Sequence, residues 1–302
     1  MFYFCKDCPR QCGVMRPETG SESTVLSGVC GSPRQPVVAR AGLHFWEEPV
    51  VSGEKGSGTV FFSGCNLHCV FCQNYNISTM RQGKQISVSR LKEIYQELIS
   101  QGAHNINLVT PGHYSSAILE SLADPLPVPV VYNTNGYDSV ETLRKFEGKV
   151  QIYLPDLKYM DNALAARYSG AKDYVERATA AIREMFRQTG PFEFDDDGML
   201  RKGVIIRHLI LPGCVENSLK VIRFVEENFA PDEVIFSLMR QYIPCGRVSE
   251  TEYPELNRKV TQEEYDVVEE ALFNSTIEAG FVQDDESASK EFIPDFDGSG
   301  VL

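Results

Sequence analysis

Cys65, Cys69 and Cys72 stand in the run Phe61-Phe62-Ser63-Gly64-Cys65-Asn66-Leu67-His68-Cys69-Val70-Phe71-Cys72-Gln73-Asn74. The CxxxCxxC spacing puts three thiolates on one short loop, directly after an apolar, strand-like stretch. A 4Fe–4S cubane has four irons, and clusters that only carry electrons normally take four cysteine ligands. Three ligands leave one iron open to a substrate, as a catalytic zinc keeps an open position that a structural zinc closes. The competing readings are a zinc knuckle and three ordinary reduced cysteines. Zinc sites favour CxxC pairs separated by a longer loop, which is not the pattern here.

A second group, Cys5, Cys8, Cys12 and Cys30, is spaced C-x2-C-x3-C-x17-C in a segment punctuated by Gly and Pro. Four thiolates close a tetrahedral zinc site or ligate an auxiliary iron–sulfur cluster, and unligated thiols are the third reading. Cys214 and Cys245 are isolated and read as small buried hydrophobes, with Cys245 at a strand end. Seven of the nine cysteines fall within the first 72 residues, and the total is odd. That crowding points to metal ligation rather than a disulfide framework.

The rest of the composition narrows the class of partner. The formal charge of −13 and a pI near 4.9 oppose approach to phosphate backbones, so nucleic acid is not expected as a partner. No apolar run approaches the ~20 residues that span a bilayer. Met1-Phe2-Tyr3-Phe4-Cys5-Lys6-Asp7 lacks a basic n-region and a long apolar h-region, so neither export nor a membrane is expected and the location expected is cytoplasmic.

Six short apolar runs are strand candidates: Thr59–Ser63, Asn105–Thr110, Val128–Asn133, Val150–Pro155, Gly203–Leu211 and Glu233–Leu238. Gly, Pro, Asn or Asp bound them, as for buried parallel strands. Helical stripes lie between them: Leu91, Ile94, Tyr95, Leu98 and Ile99; Val221, Phe224 and Val225; Tyr265, Val268, Ala271 and Leu272. Lys172–Gln188 reads as a further amphipathic helix, followed by an acidic loop over Phe192–Met199. Ser89 reads as an N-cap, and Thr261 with Glu264 as a capping box. Alternating strands and helices form a curved parallel α/β sheet through right-handed crossovers. Chemistry then gathers beyond the C-terminal strand ends. The chain divides into a Cys-rich extension (1–48), the α/β unit (49–285) and a tail (286–302).

The three-cysteine loop resembles that of the radical SAM superfamily, whose members bind S-adenosylmethionine (SAM) on the open iron of a 4Fe–4S cluster. The resemblance implies a partial (β/α)6 barrel, and the number six rests on it. It also implies reductive cleavage of SAM to a 5′-deoxyadenosyl radical for hydrogen abstraction, with the electron supplied by a flavodoxin or ferredoxin. Phe71 matches an aromatic position beside the adenine. Cys72-Gln73-Asn74 is similar to the Cys-His-Asn of pyruvate formate-lyase activating enzymes, which implies that Asn74 helps hold SAM. Asp156-Leu157-Lys158 and Arg207 resemble that group's SAM-carboxylate residues on the fourth and fifth strands. An acid binds the SAM amine in the superfamily; here Thr110-Pro111-Gly112-His113 occupies its place, leaving backbone carbonyls or Thr110 for that task. Asn133-Thr134-Asn135-Gly136 stands where the activases carry Asp-Thr-Asn-Gly, which assigns Thr134 and Asn135 to the ribose side and removes one acid of a monovalent-cation site.

Over nearly the whole length the chain is similar to the PflX-like branch of that superfamily. The marks are Cys8-Pro9-Arg10-Gln11-Cys12-Gly13, Leu43-His44-Phe45-Trp46-Glu47-Glu48-Pro49, Glu286-Ser287-Ala288-Ser289 and Phe292-Ile293-Pro294-Asp295-Phe296. The substrate implied is a glycine of a glycyl-radical enzyme. The Gly-Pro-Gly-x-Arg stretch of its activases is replaced here by Gly53-Glu54-Lys55-Gly56-Ser57-Gly58. The alternatives are modification of a peptide or small metabolite, and a non-catalytic iron–sulfur scaffold.

Overall fold

The computed structural model describes residues 3–16, 28–283 and 294–302. The Glu286–Ser289 mark and the Phe292-Ile293 pair lie outside those residues. Eight strands follow one another across the main sheet in chain order: β1 Val37–His44, β2 Ser57–Phe62, β3 Ile106–Val109, β4 Val130–Thr134, β5 Ile152–Pro155, β6 Leu200–Leu209, β7 Ile235–Met239 and β8 Gly280–Val282. From β2 to β8 every pairing is parallel, and β1 runs antiparallel to β2. Lys84–Gln85 ends the sheet beside β1, while β8 ends it on the other side, so the barrel is partial and open.

All six expected strands form within a few residues of the sequence reading. Two of these eight strands went unread, as did the two-residue strands Lys84–Gln85 and Glu193–Phe194. The segment β1 lies inside the 1–48 stretch that the sequence sets apart, yet it is hydrogen-bonded along most of β2. The three-residue β8 is only half-buried or exposed and carries little apolar signal.

Parallel strands covered on both faces must be apolar on both faces, and β2, β3, β4, β5 and β7 are buried throughout. The period of two divides their side chains. Val60, Leu108, Tyr132, Tyr153, Ile206 and Phe236 join the large core beneath the helices. Val131, Ile152, Leu154, Ile205 and Ile235, joined by Val51 and Leu200, form a smaller apolar plug on the inner face. Two residues on from members of that plug, the same face carries Asn133, Asp156, Arg207 and Ser237, which line a cavity. Alternation thus sets a polar floor above an apolar base.

The helix Val88–Ser100 is capped by Ser87, whose hydroxyl accepts from the Arg90 N–H, not by Ser89, which lies inside the first turn. Both serines precede the apolar stripe; Ser87 alone has the extended backbone a cap requires. The Thr261–Glu264 capping box forms as read. Tyr174–Thr189 is helical, and the acidic loop after it is a hairpin in which Glu193–Phe194 pairs with β6. Among the described residues no helix is long and apolar enough to cross a membrane.

Candidate metal centre and its cavity

After β2 the chain turns at Gly64, whose φ is +84°. A Cβ at this position would stand 2.3 Å from Ser32 Oγ and 2.9 Å from the Cys30 carbonyl oxygen, so only glycine fits. The turn delivers Cys65, Cys69 and Cys72 to one wall of a cavity of about 660 Å³ at the C-terminal ends of the strands. Phe71, Asn74, Thr110, Thr134, Asn135, Asp156, Lys158 and Arg207 line the same cavity. The structure therefore gathers every residue that the sequence assigned to the cluster and to SAM.

Each of the three sulfurs accepts a hydrogen bond. Asn135 Nδ2 donates to Cys65 Sγ at 3.3 Å, Ser169 Oγ to Cys69 Sγ at 2.9 Å, and Ser78 Oγ to Cys72 Sγ at 3.2 Å. Burial, then the neighbouring thiols, push the Cys65 and Cys72 thiols up, Cys72 to about 11. Burial also raises Cys69, against the pull of Lys158. The thiols are thus protonated until a metal ionises them. Three sulfur donors, each aimed on by a hydrogen-bond donor and facing a cation, suit an iron–sulfur cluster with three protein ligands.

The zinc-knuckle reading fares worse. A zinc knuckle needs a fourth side chain to close its tetrahedron. His68, inside the loop, turns away to the carbonyl of Val29 at 2.9 Å.

Opposite the thiols lies a chain of ion pairs. Lys158 Nζ reaches Asp156 Oδ2 at 2.6 Å, and Arg207 Nε reaches Asp156 Oδ1 at 2.8 Å. Arg207 also donates to Glu47 Oε2 at 2.9 Å and to Asn133 Oδ1 at 2.7 Å. Burial alone would raise the Asp156 carboxyl, but Arg207 and Lys158 outweigh it and hold it below the usual range. The same acids keep both cations charged despite burial. Period-two alternation explains why Arg207 faces the cavity while His208, one residue on, faces the helix Val215–Asn228 and bonds Ser218.

Two of the expected ribose residues have other engagements. The Thr134 hydroxyl donates to Asp138, and Asn135 spends its amide on Cys65 and on Asn66 Oδ1. Asn135 thus orients the Cys65 sulfur directly. Thr110 holds φ at +59°, an uncommon conformation for a β-branched residue, which bends the chain sharply off the end of β3. Phe71 is buried edge-on against Tyr242, with ring centroids 6.0 Å apart.

Sequence reasoning passed over Glu47, Glu48, Ser78 and Ser169. The Leu43–Pro49 run was a signal for the two glutamates. Nothing in the sequence marks the serines, which reach the sulfurs only through tertiary packing. Glu48 is 8% exposed, its Oε2 has no hydrogen-bond partner, and burial raises its carboxyl against the pull of Arg207.

Comparison with known proteins agrees with this geometry. The pattern of the radical SAM superfamily matches residues 59–192. An uncharacterized protein of Methanocaldococcus jannaschii is 32% identical over 246 residues, which cover 76% of this chain and 64% of that protein. The chain therefore spans less than two thirds of that relative's length. Streptococcus suis SuiB is similar in fold, with a TM-score of 0.51 and 13% identity over 74% of this chain and 47% of its own. A domain of a Bacteroides vulgatus pyruvate-formate lyase-activating enzyme matches at a TM-score of 0.37 and 13% identity over 65% of this chain and 91% of its own. With three thiols on the loop after β2, residues 59–192 are similar to the radical SAM superfamily in both pattern and placement of the cysteines.

Proposed function

We propose that the chain is a radical SAM oxidoreductase that cleaves SAM reductively and abstracts hydrogen from a substrate, acting as an activase of the pyruvate formate-lyase type within the PflX-like branch. The family implies a 4Fe–4S cluster and SAM. When bound, the reduced cluster supplies an electron to the sulfonium of SAM, giving methionine and a 5′-deoxyadenosyl radical that takes a hydrogen atom. The observation that carries the reading is one cavity holding three hydrogen-bonded thiols on one wall and the Asp156–Lys158–Arg207 chain on another.

The chain's residues divide the work. Cys65, Cys69 and Cys72 hold the cluster, and Asn135, Ser169 and Ser78 orient their sulfurs. Lys158, with one bond to Asp156, keeps ammonium protons for the SAM carboxylate. Asp156 and Glu47 fix Arg207 in place, and buried Phe71 offers an apolar surface to the adenine. Electrons come from a flavodoxin or ferredoxin.

The activase reading rests on the Asp156–Lys158 and Arg207 matches and on a barrel open at one side. A second reading, modification of a peptide or small polar metabolite, draws on the polar inner face, where Glu48 Oε2 is without a partner. The test is anaerobic incubation of reduced protein with unlabelled SAM and a glycyl-radical partner deuterated at its glycine. Deuterium in 5′-deoxyadenosine with a glycyl doublet in electron paramagnetic resonance supports the activase. 5′-Deoxyadenosine that takes no deuterium from the glycyl-radical partner but takes it from another deuterated extract component establishes the second reading. No 5′-deoxyadenosine under strong reductant overturns both and leaves a non-catalytic iron–sulfur scaffold.

A further inference from the structure

Arg10 belongs to the N-terminal extension, yet its guanidinium ties together two segments that meet the cavity's sulfurs. Nε donates to the Asn66 carbonyl at 2.8 Å, NH1 to the Gly170 carbonyl at 2.6 Å and NH2 to the Ser169 carbonyl at 3.4 Å. The guanidinium carbon also lies 5.1 Å from the centroid of the Tyr137 ring, within cation–π range. Asn66 sits on the metal loop between Cys65 and Cys69. Ser169 ends the helix Asn162–Ser169, and Gly170 leaves it with a left-handed φ of +63°. Carbonyls at a helix C-terminus lack partners within the helix and carry partial negative charge, so a cation caps them. Backbone bonds from Val70 N–H to the Tyr168 carbonyl, at 2.8 Å, and from His68 N–H to the Ser169 carbonyl, at 3.4 Å, join the same segments farther along the loop. Arg10 fixes the end next to Cys65.

Each anchored residue leads to a different sulfur. Asn66 Oδ1 accepts from Asn135 Nδ2 at 2.8 Å, and the same amide donates to Cys65 Sγ at 3.3 Å. Asn66 Nδ2 donates to the Tyr137 carbonyl at 2.6 Å, and Tyr137 N–H to Asn135 Oδ1 at 3.0 Å, which closes the set on which Arg10 lies. Ser169 Oγ donates to Cys69 Sγ at 2.9 Å, with Tyr159 OH 2.7 Å away as its other partner. Cys72 takes its bond from Ser78 on a separate element, the helix Tyr75–Ser78. Lysine would carry the charge but not the contacts. An ammonium is a compact point charge, whereas the guanidinium is a planar fork of five fixed N–H groups that also stacks on aromatic faces.

We infer that Arg10 is a positioning residue for the cavity's metal centre: through Asn66 and Ser169 it aims the donors to two of the three ligand sulfurs and so sets the reduction potential of that centre. Hydrogen bonds weaken steeply as they bend, so a tilt of the Asn66 carboxamide or of the Ser169–Gly170 turn is felt at the sulfur. The bonds Arg10 supports favour the reduced, more negative cluster. The N-terminal extension therefore makes the centre easier to reduce. This inference rests on the reading of Cys65, Cys69 and Cys72 as ligands of a 4Fe–4S cluster.

The test is redox titration of the reduced-state paramagnetic signal in anaerobically purified full-length protein. Arg10→Lys, Ser169→Ala and Ser78→Ala are compared singly, and Arg10→Lys is combined with each serine variant. The expected result is that Arg10→Lys, which keeps the charge, lowers the potential. With Ser169→Ala the combined shift falls short of the sum, whereas with Ser78→Ala the two shifts add. A parental potential in Arg10→Lys overturns the inference, and so does full additivity with Ser169→Ala. Should Arg10→Lys fail to hold the cluster, amide hydrogen exchange of the metal-free parent and variant decides. Faster exchange confined to His68, Val70 and Gly170 supports the inference, and any other pattern overturns it. Cleavage of SAM by the parent is measured alongside. A lowered, non-additive potential in a chain that yields no 5′-deoxyadenosine keeps the inference and drops the proposed activity. Cleavage by the parent with an unmoved potential in Arg10→Lys does the reverse, and a parent free of iron overturns both.

Discussion

The two cysteine groups of this chain use the same ligand in opposite settings. Cys65, Cys69 and Cys72 are half-buried on the wall of a cavity, and each accepts a hydrogen bond from outside the group. Cys5, Cys8 and Cys30 are sealed away; Cys5 Sγ donates to Asp7 Oδ2 at 3.9 Å, and Cys30 Sγ accepts from Arg16 at 3.1 Å. An incomplete ligand set beside a cavity leaves room for a reactant, while a complete set without one does not. The difference lies in what surrounds the sulfur, because thiol count alone cannot separate a working centre from a supporting one.

The largest effect that can break this contrast lies in the two buried arginines. Arg207→Met strands Glu47 without its cation, leaves Asp156 with Lys158 alone, and lowers stability by about 3–5 kcal/mol. In metal-free protein Arg16→Met costs less, about 1–3 kcal/mol, through the lost bonds to the His113 carbonyl and Cys30 Sγ and the lost ion pair with Asp7 at 3.8 Å. Urea unfolding of both variants measures the gap. Equal losses would mean that Asp7 and the His113 carbonyl hold Arg16 as firmly as the cavity's acids hold Arg207.

Acid separates the regions next. Burial holds His208 down to about 4 and His113 down to about 3, so both stay neutral in the fold. The unfolded chain binds protons near pH 6.5 while the folded chain does not. Stability is therefore full above that pH and falls as pH drops from 6.5 toward 4, by up to about 1.4 kcal/mol per pH unit for each histidine. The raised Glu48 carboxyl works in the opposite direction and offsets part of the loss. His208→Gln should flatten the urea midpoint between pH 7 and pH 5. An unchanged slope would show that His208 titrates normally.

The smallest effect sharpens the view of sulfur environment. Ser169→Ala removes one hydrogen bond to Cys69, worth about 0.5–1.5 kcal/mol. Hydrogen bonds to sulfur favour the reduced, more negative cluster, so the Cys65–Cys72 centre should become harder to reduce. Redox titration should find that centre shifted to lower potential, and an unmoved potential would show that the Ser169 bond does not tune it.

Much of this chemistry was legible in the chain itself. CxxxCxxC needs no partner to announce three thiolates, because loop spacing alone keeps them together. Short apolar runs bounded by turn residues marked six parallel strands, because strands buried on both faces cannot be polar. Alternation even predicts that Asp156 and Lys158 share a face. The strand β1 escaped because it pairs with β2 across the Pro49–Ser52 turn and lies in a segment dominated by cysteine and proline. The strand β8 escaped because three half-exposed residues carry no periodic signal.

The sequence by itself determined the ligand types, their count and the alternating sheet that carries them, since these depend on neighbours along the chain. Tertiary structure alone decided who touches the sulfurs. Ser169 lies 100 residues from Cys69 and Asn135 lies 70 from Cys65, so local pattern holds no trace of either bond. It also decided that Glu47, 160 residues before Arg207, joins the cation chain, and that Arg16 turns inward to the N-terminal thiols. Burial strengthens each of these contacts by lowering the surrounding dielectric, and burial belongs to the packed fold rather than to any stretch of sequence.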